Sequence, residues 1–215
     1  MKIAIMHTYK SGLLENNLKY HLRLEKEIFD QFVVVVCRWN TFPDLKEDKS
    51  KNMIIEKFQE DFNSGRIHVI DHQGTHDHNE FECREMVMNS YSNHIRMWID
   101  SDELLSGRFW HILHAERYKA YRIGHTIMSP NSVQEFRGIP YLFGRFVLIK
   151  YLKHDFLSLF AYSERGASEI EDIPDLFNVS LQAVENPDYI EAKKKWVSNY
   201  RLEPENDPIS PEVKE

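Results

Sequence analysis

The sequence predicts an α/β fold, a mostly parallel central sheet flanked by helices. Three observations carry this expectation. Strand-like and helix-like segments alternate through the first half of the 215-residue chain, the order that builds a parallel sheet through helical crossovers. Phe32-Val33-Val34-Val35-Val36-Cys37 is apolar at successive positions, as a strand covered on both faces must be. Met97-Trp98-Ile99 is a second such run and ends abruptly in Asp100-Ser101-Asp102-Glu103, a buried strand reaching a polar rim.

In chain order, Ile3 to Met6 is a short buried strand. Over 13–28, Leu14, Leu18, Leu22 and Ile28 recur at near-helical spacing among charges, which predicts an amphipathic helix. The valine strand follows Phe29. Residues 40–50 are polar and hold Pro43, hence a loop. A helix over 52–63 aligns Ile54, Ile55, Phe58 and Phe62, and Asn63-Ser64-Gly65 ends it. Ile67 to Asp71 is the third strand. His72, His76 and His78 then fall in a polar loop around Gly74; their spacing is not that of a zinc-protease helix, and a loop over the ligand crevice is the expectation. A helix over 79–94 turns Phe81, Cys83, Val87 and Tyr91 partly inward, and Arg96 to Ile99 is the fourth strand.

The second half reads as longer, aromatic-rich strands over 120–128 and 140–152, punctuated by Gly138-Ile139-Pro140. A helix is expected over 157–165, ended by Gly166, and another after Asp188 with Ala192, Trp196 and Tyr200. From Glu203 the chain is Pro- and Glu-rich with little to bury. The expected organisation is one domain over 1–202 and a frayed acidic tail over 203–215.

Composition narrows the function. A net charge of −7, with no extended Lys/Arg run, argues against nucleic acid as the main partner. Lys193-Lys194-Lys195 is read as a solvated helix face. The apolar runs are far short of a membrane span, and Ile3 to Met6 is too short for a signal peptide. Cys37 and Cys83 are two and far apart, which suggests neither a disulfide framework nor a zinc ribbon and fits a reducing, cytoplasmic setting. The chain has no Gly-x-Gly-x-x-Gly, no Gly-Lys-Ser phosphate loop and no Gly-x-Ser-x-Gly elbow, against the common dinucleotide oxidoreductases, NTPases and α/β-hydrolases.

The acidic segment holds the chemistry. In an extended segment Asp100 and Asp102 point one way and Ser101 the other. Two anions side by side are costly, and a divalent cation offsets that cost. Hard oxygen donors select Mg²⁺ or Mn²⁺, with coordination positions left for phosphates. The same residues also suit an acidic cap on a helix beginning near Leu104. Position favours a site, because ligands of parallel sheets gather beyond the carboxyl ends of the strands. Ser101 joins the candidate donor-binding residues, as do Asn79 and Arg84 near the start of the preceding helix. A capping or solvated role is the alternative for those two.

Three ordered stretches carry a family likeness. They are Leu18-Lys19-Tyr20-His21-Leu22-Arg23-Leu24 with Phe29-Asp30-Gln31-Phe32-Val33-Val34, then Trp98-Ile99-Asp100-Ser101-Asp102-Glu103-Leu104-Leu105. The third is Leu152-Lys153-His154-Asp155 with Ser158, Phe160 and Arg165-Gly166. Together they resemble nucleotide-sugar glycosyltransferases of the type A (GT-A) fold, in the branch near families two and ninety-two. The resemblance implies a single GT-A-like domain that moves a sugar from a nucleotide-sugar donor, a UDP-sugar, to an acceptor hydroxyl on a glycan, protein or lipid. It implies Asp100 and Asp102 as ligands of Mn²⁺ or Mg²⁺ on the donor diphosphate, His154 as a third ligand, Asp44 at the uracil or ribose, and Glu103 as a support for Asp102. The chain departs from the family pattern at Tyr9-Lys10-Ser11-Gly12 and at Asp155.

An inverting transferase needs a carboxylate near the acceptor hydroxyl. Glu135 and Asp155 are the acids available, neither within a motif. Trp39, Trp110 and Tyr141 are aromatics that either stack on sugars or fill the core. Two other classes use the same residues: a nucleotidyltransferase, which takes an NTP, and a non-catalytic binding module of this fold.

Overall fold

The computed structural model describes residues 1–8, 11–24, 28–37, 49–72, 80–129, 132–137, 141–151 and 159–180. The first half is β1 (Lys2–Thr8), α1 (Ser11–Leu24), β2 (Gln31–Cys37), α2 (Ser50–Lys57), α3 (Gln59–Asn63), β3 (Ile67–His72), α4 (Glu80–Ser90) and β4 (Ile95–Asp100). β5 (Glu103–Gly107), α5 (Trp110–Leu113), β6 (Lys119–Ser129), β7 (Ser132–Arg137) and β8 (Leu142–Phe143) follow. The described chain closes with β9 (Val147–Tyr151), β10 (Leu159–Ser163), β11 (Gly166–Ala167) and β12 (Glu169–Ser180).

Among the described residues the main sheet runs β3-β2-β1-β4-β8-β6-β12-β5, with β7 beside β6, and β9, β10 and β11 form a small antiparallel sheet. The segment β3-β2-β1-β4 is wholly parallel. Beyond β4 the sheet is mixed: β8 is antiparallel to β4 and β6, while β12 runs parallel to β6 and antiparallel to β5. The α/β class therefore holds, with an unbroken parallel run in the first half and one further parallel pair, β6 with β12, in the second.

Val33 and Val34 point to opposite faces of β2 and both are fully buried, so the sheet is covered on both sides there. Trp98, Met97 and Ile99 of β4 join the same core. Leu14, Leu18 and Leu22 from α1, Ile54 from α2, and Cys83, Val87 and Met88 from α4 complete it. No helix of the described residues is long and apolar enough to cross a membrane.

Several expectations need correction. No helix begins near Leu104: Ser101 and Asp102 form a turn, and Glu103 opens β5. The helix over 52–63 breaks at Phe58, whose backbone (φ −127°, ψ 36°) leaves the helical region as its ring enters the core. The helices expected over 13–28 and 79–94 are described as the shorter α1 and α4, with Ile28 and Phe29 buried beyond the first and Tyr91–Asn93 in a turn after the second.

The strand expected over 140–152 is two, β8 and β9. The turn between them puts Phe146 at φ 66° and brings Gly144 so close to the Glu116 carbonyl that a Cβ would lie 1.8 Å from it. The helix expected over 157–165 is the strand β10, turning at Glu164-Arg165 into β11. Its short apolar run fits either period, and pairing with β9 selects the two-residue one: Ala161 and Ser163 are buried, Phe160 exposed. Gly166, at φ 108°, serves that hairpin instead of a helix end. β12 was not anticipated, because its outward positions Glu169, Glu171 and Asp172 give it the look of a loop. The helix expected after Asp188 and the tail lie outside the described residues.

Candidate functional site at the end of strand β4

The chain leaves β1 toward β2 and β3 on one side, and β4 returns to the other side of β1. The strand order thus reverses between β1 and β4, and open α/β sheets bind ligands beyond the carboxyl ends at such a point. Asp100, the last residue of β4, pairs in register with His7 of β1 and so sits at that reversal of strand order.

Asp100 is held by its neighbours. Its Oδ1 accepts the Trp98 indole N–H at 2.6 Å and Arg84 Nη2 at 3.0 Å, and Arg84 also reaches Oδ2 at 3.3 Å. The Arg84 guanidinium lies 4.3 Å from the centre of the Trp98 ring, a cation–π contact in a buried setting. Its position on α4 delivers it from the helix that precedes β4.

Glu103 is the hub beneath the turn. Its Oε2 accepts the Asp100 backbone N–H at 2.9 Å and Asn178 Nδ2 at 3.0 Å, and Oε1 lies 3.4 Å from His125 Nδ1. Burial first, and then the charges of Asp100 and Asp102, push its carboxyl well above the usual carboxylate range. Asp102, also buried, accepts the Ser180 hydroxyl on Oδ2 at 3.3 Å.

A third set fixes the turn from α1. Asn17 Nδ2 donates to the Ser101 carbonyl at 2.6 Å, and His21 Nδ1 bonds the Asn17 carbonyl at 2.8 Å. His21 Nε2 accepts the Leu105 N–H at 3.2 Å, so the proton resides on Nδ1. Desolvation pushes His21 down to about 4, and it stays neutral near pH 7. Tyr141 packs parallel to His125 at 5.9 Å and is buried, which makes it core and not a platform for a sugar.

Among the predicted residues, Asp100, Asp102, Ser101 and Arg84 come together. A turn and not an extended strand relates the two aspartates, so strand alternation does not set their directions. Arg84 is neither solvated nor a cap; it is buried on Asp100. Ser101 is buried and engages through its carbonyl. Glu103 supports the Asp100 amide, where support of Asp102 was expected. Trp110 is 52 % exposed on α5, and Glu135 is exposed on β7. Asp44, Asn79, His154, Asp155, Trp39, His76 and His78 lie outside the described residues. Sequence reasoning missed Asn17, His21, His125, Asn178 and Ser180. Only His21 left a trace, a polar residue on the same helical stripe as Leu14, Leu18 and Leu22.

No family model matches the sequence, and no curated protein matches it. Among solved structures the fold is similar to a "putative glucose-1-phosphate thymidylyltransferase" from Bacillus anthracis, at a TM-score of 0.40 and 8 % identity. The match covers 93 % of this chain and 84 % of that one. At that score the likeness carries no argument about chemistry.

Among the described residues no group of three His, Cys, Asp or Glu is arranged to hold a metal ion. Asp100 and Asp102 supply two hard-oxygen donors beside a single buried guanidinium. Carboxylate oxygens of this kind are the donor type that hard divalent cations take, and Asp100 already carries the Arg84 guanidinium.

Proposed function

We propose that the crevice beyond β1 and β4 binds a nucleotide-sugar and that the chain is a metal-dependent glycosyltransferase, with a UDP-sugar as donor and an acceptor hydroxyl as its second substrate. The observation that carries this reading is the position of Asp100 and Asp102 at the reversal of strand order. Asp100, Asp102 and His154 would hold Mn²⁺ or Mg²⁺. When bound, that ion offsets the charge gathering on the departing nucleoside diphosphate.

The chain's own residues do the rest. Arg84 and the Trp98 indole hold the Asp100 carboxylate fixed in direction, so that little reorganisation accompanies the reaction. Glu103 and Asn17 hold the backbone of the turn on either side. Asp44, Asn79 and Ser101 belong to the donor side of this reading.

Titration calorimetry with UDP, GDP and UTP, with and without Mn²⁺, tests it. A diphosphate should bind only with metal present. Asp102→Asn should weaken that binding by roughly 100-fold or more, because outer-shell partners of a metal alone cost 10–100-fold. Unchanged Mn²⁺-dependent affinity in Asp102→Asn would overturn the assignment. Preference for UTP, with pyrophosphate released on adding a sugar 1-phosphate, would make the chain a nucleotidyltransferase. Failure to bind any nucleotide would make it a non-catalytic module.

A further inference from the structure

A cavity of about 490 Å³ opens on β6, β7 and β12, a volume within the range of small-molecule sites. The sequence of β12 creates it. Pairing with β6 runs from Glu169 to Ile173 and resumes only at Phe177 opposite Gly124, so Pro174-Asp175-Leu176 bulge away. Pro174 has no N–H to give the ladder, which suits it to such a break. The bulge is pinned outward: the Asp175 carbonyl accepts the Arg108 N–H at 2.7 Å, and its carboxylate lies 2.8 Å from His111 Nε2. Gly124 contributes no side chain to refill the space, and a Cβ there would lie 3.1 Å from that of Phe177.

The register fixes which side chains share the hollow. Arg122, Gly124 and Thr126 follow one another on one face of β6. Asp172 pairs with Arg122, Phe177 with Gly124, and Glu135 with Thr126. Asn178 and Glu103 alternate onto the other face, while His125, 3.4 Å from Glu103, also borders the hollow.

The lining combines three chemistries. Arg122 Nε donates to Asp172 Oδ1 at 2.8 Å, with each side chain about two-fifths exposed, so a guanidinium fork and a carboxylate face the cavity side by side. Adjacent ring hydroxyls, each both donor and acceptor, match that pair. Thr126 and Glu135, paired in register, set a hydroxyl beside a second carboxylate at the other end. Between them the half-buried Phe177 ring offers an apolar floor to a ring's C–H face. Two carboxylates against one guanidinium repel phosphates, and the polar rim does not suit a purely apolar guest.

We infer that this hollow binds a neutral pyranose ring, its C–H face on Phe177 and its neighbouring hydroxyls on the Arg122–Asp172 pair. The assignment stands apart from the nucleotide reading of the crevice. Saturation-transfer NMR on the full chain tests it, with methyl β-glucoside, methyl β-galactoside, methyl α-mannoside and N-acetylglucosamine as probes. Transfer should reach the ring protons of at least one sugar, strongest along one ring face. Phe177→Leu and Asp172→Asn should each weaken binding by roughly fivefold, the size of one stacking or charged hydrogen-bond contact. Asp172 lies on the exposed rim, so its variant keeps the test open if Phe177→Leu fails to fold. No transfer to any of these sugars, or a titrated transfer affinity unchanged in Asp172→Asn, would overturn the assignment. An affinity weakened in Asp102→Asn yet unchanged in Asp172→Asn would put the sugar in the crevice and overturn it equally.

Discussion

Arg96 is fully buried on β4, and its guanidinium donates to the carbonyls of Met88 (2.7 Å), Gly144 (3.1 Å) and Val147. Desolvation pushes its pKa down to about 9, still charged near pH 7. One side chain thus ties α4, the turn after β8 and the start of β9 to the strand that delivers Asp100. Arg96→Met should lower stability by about 3 kcal/mol, since it leaves buried carbonyls without their donor, and urea denaturation would measure the loss. His21 gives a pH dependence of definite sign. Its folded pKa of about 4 lies below the ordinary histidine value of 6.5, so the unfolded chain takes up the proton first. The stabilisation is complete above about pH 6.5 and declines as pH falls toward 4, by about 3 kcal/mol in all. His21→Gln should flatten the change in urea midpoint between neutral and acid pH; an unchanged slope would show that His21 is not its source.

At the scale of elements, the approach of β5 to the β12 bulge rests on one glycine. Gly107 sits at φ 104°, and a Cβ would lie 2.1 Å from the Asp175 carbonyl oxygen. Gly107→Ala should therefore cost at least about 2 kcal/mol, from strain and clash together. Gly65→Ala is the control: φ is 76° with nothing within 4 Å, and only the left-handed strain of about 1 kcal/mol remains. Calorimetric melting of both would separate the terms. Such contacts explain what was legible. β2 and β4 read directly because burial on both faces demands continuous apolar runs. β10 and β12 did not, since a short apolar run fits two periods and an outward face of charges resembles a loop. Pairing with β9 and β6 decided those.

Across the whole molecule, β4 joins the two halves, parallel to β1 on one side and antiparallel to β8 on the other. α1 crosses the same boundary through Asn17 to Ser101 and His21 to Leu105. Unfolding in urea should therefore be a single transition, with tryptophan fluorescence and far-UV circular dichroism coincident. Two separated transitions would show that the halves fold independently. The sequence by itself determined the α/β class, the order of the parallel strands' elements and the place of the acidic turn, because hydrophobic periodicity and the end of an apolar run are local properties. Only the tertiary structure decided that Arg84 holds Asp100, that Glu103 and Asn178 lie beneath the turn, and that a bulge opens a hollow on β12. Those contacts join residues up to 75 positions apart, and no local pattern records which distant side chain a buried carboxylate will meet.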